Sequence, residues 1–293
     1  MRSAPSSRRA RAAVAAATAT AAALTVTGLG AGAASGAETP VNRYVALGDS
    51  FASAAGVPDQ VDSACTRSSR NYPALVNASL APAAHRDVTC GGATTVHMTS
   101  SQNSSAPPQF DALSTDTDLV TLTIGGNDIG FADIIVRCVS LGLFNPFGSP
   151  CKNSYTWTGT DRLAATIDAA APKIAATVDG IRQRAPHARI LVTGYPAILP
   201  DDGTNCPAVV SIAKKDAPWL RDTHKRLNAM IATQAAEHGA VYVDTYTRSI
   251  GHDVCKPSGT RWMEPLVTDA AAPFHPNAAG ERAMADAVLA AAP

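Results

Sequence analysis

The sequence predicts a three-layer α/β/α sandwich on a five-stranded parallel sheet. Two observations predict it. Short apolar, β-branched runs alternate with longer stretches of helical periodicity. The runs are near-continuous in their apolar character, as strands buried on both faces are. Strand–helix–strand alternation is the pattern of a parallel sheet covered on both sides. With right-handed crossovers, five such strands point to a flavodoxin-like arrangement.

In order, the strands are expected at Arg43–Leu47, at a weaker His85–Cys90, and at Asp118–Ile124, Arg189–Thr193 and Ala240–Asp244. Helices are expected at Tyr72–Leu80, Ile129–Cys138, Asp161–Arg184, Asp216–Glu237 and Asn277–Ala291. Pro172 lies within the long third helix and is expected to kink or break it. Residues 52–70, 139–160, 198–218 and 247–272 are rich in Gly, Pro, Ser and Asn and read as long loops, which in a compact domain usually carry function.

Residues 1–37 have the layout of a secretory signal peptide. Arg2, Arg8, Arg9 and Arg11 precede an apolar run from Ala12 to about Leu29, and small residues follow up to Ala37. That run is mostly Ala and Thr, too weak for a spanning helix of about 20 strongly apolar residues. A secreted protein with no stable membrane anchor is expected, residues 38–293 forming one domain. Four of the 24 Lys+Arg lie in residues 1–37 and no Asp or Glu does, so residues 38–293 carry 20 against 24, a net charge of −4. No basic stripe survives, which argues against a nucleic-acid partner.

All six cysteines, Cys65, Cys90, Cys138, Cys151, Cys206 and Cys255, follow the signal peptide, and export favours disulfides. Sequential pairing (Cys65–Cys90, Cys138–Cys151, Cys206–Cys255) is expected because it closes local loops and leaves the strands free. The chain has no Cys-x-x-Cys and no His-Glu-x-x-His, so no metal site is expected.

The chemistry gathers at the strand ends. The first strand runs into Gly48-Asp49-Ser50, the second into Cys90-Gly91-Gly92-Ala93-Thr94-Thr95, and the third into Gly125-Gly126-Asn127-Asp128. Pro273-Phe274-His275-Pro276-Asn277 precedes the last helix. In an open α/β sheet, ligands bind outside the carboxyl ends of strands. A serine hydroxyl becomes a nucleophile beside a base, most often histidine. Acyl transfer also needs fixed donors for a tetrahedral oxyanion. The backbone N–H groups of Ser50 and Gly92 and the Asn127 amide are candidates, and Gly92 lets a substrate oxygen approach the backbone. Each block also has a plainer reading: Gly-Asp-Ser as an ordinary turn, Asp128 as the cap of the helix from Ile129, and His275-Pro276 as a helix boundary. Histidines 85, 97, 187, 224, 238 and 252 have no motif around them and read as surface or structural.

Together, Gly-Asp-Ser near the mature N-terminus, the Gly-Ala-Thr block, Gly-x-Asn-Asp and the late His-Pro-Asn resemble the GDSL/SGNH hydrolase family over about residues 40–290, in particular its secreted, six-cysteine actinobacterial lipases and esterases. The resemblance implies Ser50 as nucleophile, Ser50, Gly92 and Asn127 as oxyanion donors, and His275 as general base. It implies a serine esterase or lipase for fatty-acid esters, acting through an acyl-enzyme without a cofactor, on a lipid or small acyl-ester substrate, as a monomer. Phospholipase A, carbohydrate O-acetyl esterase and a decayed, non-catalytic binding protein are the alternatives. One position departs from the family. The orienting Asp that usually stands three residues before the histidine is Ala272 here. Either a backbone carbonyl, of Ala272 or a neighbour, accepts the imidazole N–H, or Asp269 folds back to do so.

Leu143, Phe144 and Phe147 (with Leu141) cluster between Cys138 and Cys151, and Trp262 and Met263 lie shortly before His275. Apolar residues this dense are either local core or the wall of an acyl pocket.

Overall fold

The computed structural model describes residues 40–292; the expected signal peptide, residues 1–37, lies outside them. In chain order the strands are β1 (Arg43–Gly48), β2 (Gln60–Asp62), β3 (Arg67–Ser68), β4 (Ala84–Asp87), β5 (Leu119–Thr123), β6 (Arg189–Thr193) and β7 (Val241–Val243). The helices are α1 (Ser50–Ser53), α2 (Tyr72–Leu80), α3 (Phe131–Phe144), α4 (Pro150–Thr156), α5 (Arg162–Arg184), α6 (Pro207–Val210), α7 (Ala217–Glu237), α8 (Tyr246–Ser249) and α9 (Ala278–Leu289).

Five parallel strands form the main sheet in the order β4-β1-β5-β6-β7. This is the expected flavodoxin-like order, and it reverses direction at β1. Ligands in such sheets sit in the crevice at that reversal, between the ends of β1 and β5. Val45, Leu47, Val120, Leu122, Ile190 and Val192 bury one face against α5, α7 and the loops. Tyr44, Ala46, Leu119, Leu191 and Val243 bury the other against α2 and α9.

The structure corrects several boundaries. The α5 helix runs unbroken through Pro172. The proline is on the solvent face, where water can take the carbonyl it leaves unpaired. The α3 helix begins at Phe131 rather than Ile129 and ends at Phe144, and α4 follows, so residues 139–160 are largely helical rather than a loop. Disulfides join Cys65 to Cys90, Cys138 to Cys151 and Cys206 to Cys255. Among the described residues, no helix is long and apolar enough to cross a membrane.

Candidate active site

The β1 strand ends in Gly48, where a Cβ would stand 2.7 Å from the Thr123 carbonyl oxygen and 2.8 Å from Ala52 Cβ, so only glycine fits. Gln109 grips the same residue from both sides: Gly48 N–H donates to its Oε1 (2.8 Å), and its Nε2 donates to the Gly48 carbonyl (2.9 Å). The chain then turns. Asp49 caps α1 by accepting the Phe51 N–H (3.0 Å), and Ser50 becomes the first helical residue. Its N–H heads the helix, where backbone donors have no intrahelical partner.

Ser50 Oγ lies 2.8 Å from His275 Nε2, and His275 Nδ1 lies 2.8 Å from the Pro273 carbonyl oxygen. A carbonyl only accepts, so Nδ1 carries the proton and Nε2 is left to accept from Ser50. The expectation for Ala272 is therefore corrected by one residue. The Ala272 carbonyl is occupied by His275's own backbone N–H (3.1 Å), which closes a tight turn. Within that turn Phe274 is held at φ +61° and buried. This left-handed conformation costs a non-glycine residue about 1–3 kcal/mol, and it sets the Pro273 carbonyl under the imidazole. Asp269 is exposed, and both imidazole nitrogens already have other partners.

The rings of Phe51 and Phe131 pack on the imidazole at centroid distances of 4.8 and 5.8 Å. Desolvation lowers the His275 pKa below the usual histidine value, outweighing the Pro273 carbonyl, which raises it. The imidazole is thus neutral at physiological pH.

Gly92 follows the Cys65–Cys90 disulfide at φ +78°, a conformation that favours glycine. Gly91 N–H donates to the Cys65 carbonyl (2.8 Å) and Gln102 Nε2 to the Gly91 carbonyl (2.7 Å), which fixes the turn. Asn127 Nδ2 donates one hydrogen to the Ala93 carbonyl (2.9 Å). That bond orients the amide and leaves its second hydrogen free. Asp128 does not cap α3, whose N-cap is Gly130. It accepts the Thr95 N–H and hydroxyl at 3.0 and 2.5 Å, tying the Asn127 turn to the Gly92 turn.

Two residues that hold the site carry no motif. Tyr195, just past β6, donates its hydroxyl to Asp49 Oδ2 (2.6 Å) and accepts the Gly126 N–H (2.8 Å). It joins the Ser50 turn to the Asn127 turn. Burial pushes the Asp49 carboxyl up to about 7, against the lowering bonds from Tyr195 and Phe51. The only signal for Tyr195 in the sequence is its place at the carboxyl edge of the sheet. Glu264, buried, accepts from Arg261 (2.8 Å), Thr268 (2.5 Å) and Asn277 Nδ2 (2.7 Å). Its backbone N–H donates to the His275 carbonyl (2.9 Å) and its carbonyl accepts from Phe274 (2.8 Å).

The expected pocket wall is wrong. Phe144 is 89 % exposed and Phe147 77 %, with Leu143 at 65 %, so none of them is core or pocket lining. Trp262 stacks on His252 at 3.7 Å instead. A mostly apolar cavity that reaches Phe51, the residue after Ser50, is lined by Phe51, Ile129, Phe131, Ile134, Leu163, Tyr195, Ile198, Leu199, Ile212, Leu220 and Leu227, with Arg221, Thr223 and Tyr246 also in its wall. Its walls come from stretches of chain scattered between residues 51 and 246, so no local run in the sequence marked it. His224, among its lining residues, is driven down to a pKa of about 4 by burial and is neutral.

Comparison with known proteins agrees with this geometry. The GDSL-like Lipase/Acylhydrolase family model matches residues 46–283. The chain belongs to that family. It is 43% identical to Lipase 2 of Streptomyces coelicolor over 254 residues, 85% of each chain. Two solved structures, a phospholipase A1 from Streptomyces albidoflavus and an extracellular lipase from Streptomyces rimosus, each superpose with a TM-score of 0.72 at 30% identity, covering 86% of this chain and all of theirs. The family and the α/β fold make this chain a carboxylic ester hydrolase.

Proposed function

We propose that the chain is a secreted serine esterase or lipase that hydrolyses carboxylic esters of fatty acids by a Ser50–His275 dyad. The observation that carries the acyl specificity is the apolar cavity beginning at Phe51, one residue from Ser50. Its mostly apolar lining suits a fatty acyl chain better than a glycan-borne acetyl group, which disfavours a glycan deacetylase. The hydrogen-bonded Ser50 and His275 disfavour a decayed site. Export is supported by the N-terminal pattern, the three disulfides and the extracellular S. rimosus relative.

The chemistry follows from the hydrogen bonds. His275 Nε2 takes the Ser50 proton as Oγ attacks the ester carbonyl. The Pro273 carbonyl accepts a stronger bond from the imidazolium that forms. The oxyanion is met by the N–H groups of Ser50 and Gly92 and the free Asn127 hydrogen. His275 returns the proton to the departing alkoxide, leaving an acyl-serine. Water, deprotonated by the same nitrogen, then releases the fatty acid.

Similarity to the S. albidoflavus phospholipase A1 favours phospholipids as a second substrate class. The test is hydrolysis of p-nitrophenyl acetate, butyrate, octanoate and palmitate, with phosphatidylcholine alongside, by the wild type and Ser50→Ala. Preference for the longer esters, lost in the variant, is expected. Turnover of acetate alone would overturn the fatty-acyl reading.

A further inference from the structure

The exposed leucine, phenylalanine and tryptophan side chains among the described residues all belong to one segment, the α3–α4 hairpin. They are Leu143, Phe144, Phe147 and Trp157, at 65, 89, 77 and 75 % exposure. Leu143 and Phe144 end α3, Phe147 is in the turn, and Trp157 immediately follows α4. The Cys138–Cys151 disulfide clamps the two helices, so the side chains are presented by a preformed hairpin. Solvating this much apolar surface is unfavourable, and such clustering marks an interaction site.

Charge identifies the partner. Residues 134–160 contain no Asp or Glu, although residues 38–293 as a whole carry a net charge of −4. Arg137 and Lys152 belong to the hairpin and are exposed. Lys214 and Lys215, also exposed, are laid along its turn by backbone bonds from Lys214 N–H to Pro146 (2.7 Å) and from Lys215 N–H to Gly148 (3.1 Å). None of the four cations is in an ion pair among the described residues. Asp216 is buried beneath α4, its carboxylate taken by the N–H groups of Cys151 and Lys152.

We propose that the α3–α4 hairpin docks the protein on an anionic phospholipid surface. Aromatic side chains ringed by unpaired lysines suit a lipid–water interface, whereas lysine is depleted in protein–protein contacts. The cation cluster also orients a molecule that is otherwise repelled by such a surface. The proposal rests on the fatty-ester reading, since esters of long acyl chains are found in lipid aggregates. The same α3 helix carries Phe131 and Ile134 of the cavity, so one helix serves both the interface and the acyl site.

The test is co-sedimentation of Ser50→Ala protein, which leaves the lipid intact, with vesicles of phosphatidylcholine with and without phosphatidylglycerol. Binding should be stronger with phosphatidylglycerol. Adding Phe144→Ser and Phe147→Ser should weaken it at least about tenfold. Adding Lys214→Glu and Lys215→Glu should abolish the phosphatidylglycerol preference. With Ser50 restored, both sets should hydrolyse water-soluble p-nitrophenyl butyrate at the wild-type rate, which also shows that they fold. Equal sedimentation with and without the phenylalanines would overturn the proposal. So would a wild-type dimer that the phenylalanine changes dissociate, because the patch would then belong to a second copy. Loss of all ester hydrolysis by the wild type would instead defeat the fatty-ester reading, and the sedimentation result would stand apart from it.

Discussion

The two halves of the proposed dyad are held in opposite ways. Ser50 stands on the sheet: β1 delivers it, β5 supports it through the bond from Asp49 N–H to the Thr123 carbonyl (2.9 Å), and Gln109 grips Gly48. His275 has no sheet strand beneath it. Its loop is bridged at Met263–Pro276, bonded past the end of α1 by the Ala272 N–H to the Ala55 carbonyl (2.8 Å), and held by the carboxylate and backbone of Glu264. A sheet edge supplies rigidity through repetition, whereas an irregular loop depends on a few buried polar groups, each of which is costly to lose.

That contrast is broken most severely at Glu264. Desolvation raises its carboxyl pKa, but bonds from Arg261, Thr268 and Asn277 outweigh it and hold the value below the usual glutamate range. Glu264→Ala strands the Arg261 guanidinium and the Asn277 amide, and is expected to cost about 3–5 kcal/mol, the scale of breaking a buried pair. At about 2–4 °C per kcal/mol for a domain of this size, the melting temperature should fall by roughly 6–20 °C. Activity should fall through kcat as His275 loses its place. Because the folded pKa is depressed, this stabilisation is full at neutral pH and lost as pH falls through that value. An unchanged melting temperature would show that the loop holds itself.

A smaller perturbation tests the sheet-borne half. Tyr195→Phe keeps the ring in the cavity but deprives Asp49 of a donor and Gly126 N–H of an acceptor. The cost should be about 1–3 kcal/mol of stability. If Tyr195 aligns the two turns, kcat falls about tenfold, equivalent to about 1.4 kcal/mol, while KM for short esters stays level. A raised KM with kcat unchanged would make Tyr195 a binding residue only.

The same contrast explains what the sequence disclosed. The strand ends were legible because β-branched runs and glycine turns are local signals, and they placed Ser50, Gly92 and Asn127 on one edge of a parallel sheet. The order of the three disulfides followed from loop closure. Pro273 was not legible: which carbonyl meets the imidazole depends on a left-handed Phe274, a conformation its residue type does not announce. Glu264 and Gln109 act across 11 and 61 residues of separation from the atoms they hold, with no periodicity to reveal them. Leu143, Phe144 and Phe147 were misread because density of apolar residues implies burial only when something covers them.

The smallest effect expected is at Asp269. With Nδ1 bonded to the Pro273 carbonyl and Nε2 to Ser50, the imidazole has no site left for a carboxylate. Asp269→Asn should therefore leave kcat/KM near the wild-type value, and should leave the pH profile in place. That profile has a defined direction. Catalysis needs the neutral imidazole, so activity rises with pH through the His275 pKa, and desolvation puts the midpoint below the ordinary histidine value of about 6.5. A carboxylate partner would move the midpoint upward by stabilising the imidazolium, so its removal would lower both the midpoint and the rate. A loss on the scale of about 10⁴, that of a missing triad acid, with a shifted midpoint, would mean that the loop closes a triad in solution. An unchanged profile would leave a backbone carbonyl as sufficient orientation for the base, with the burden of placing it carried by the Phe274 turn and Glu264.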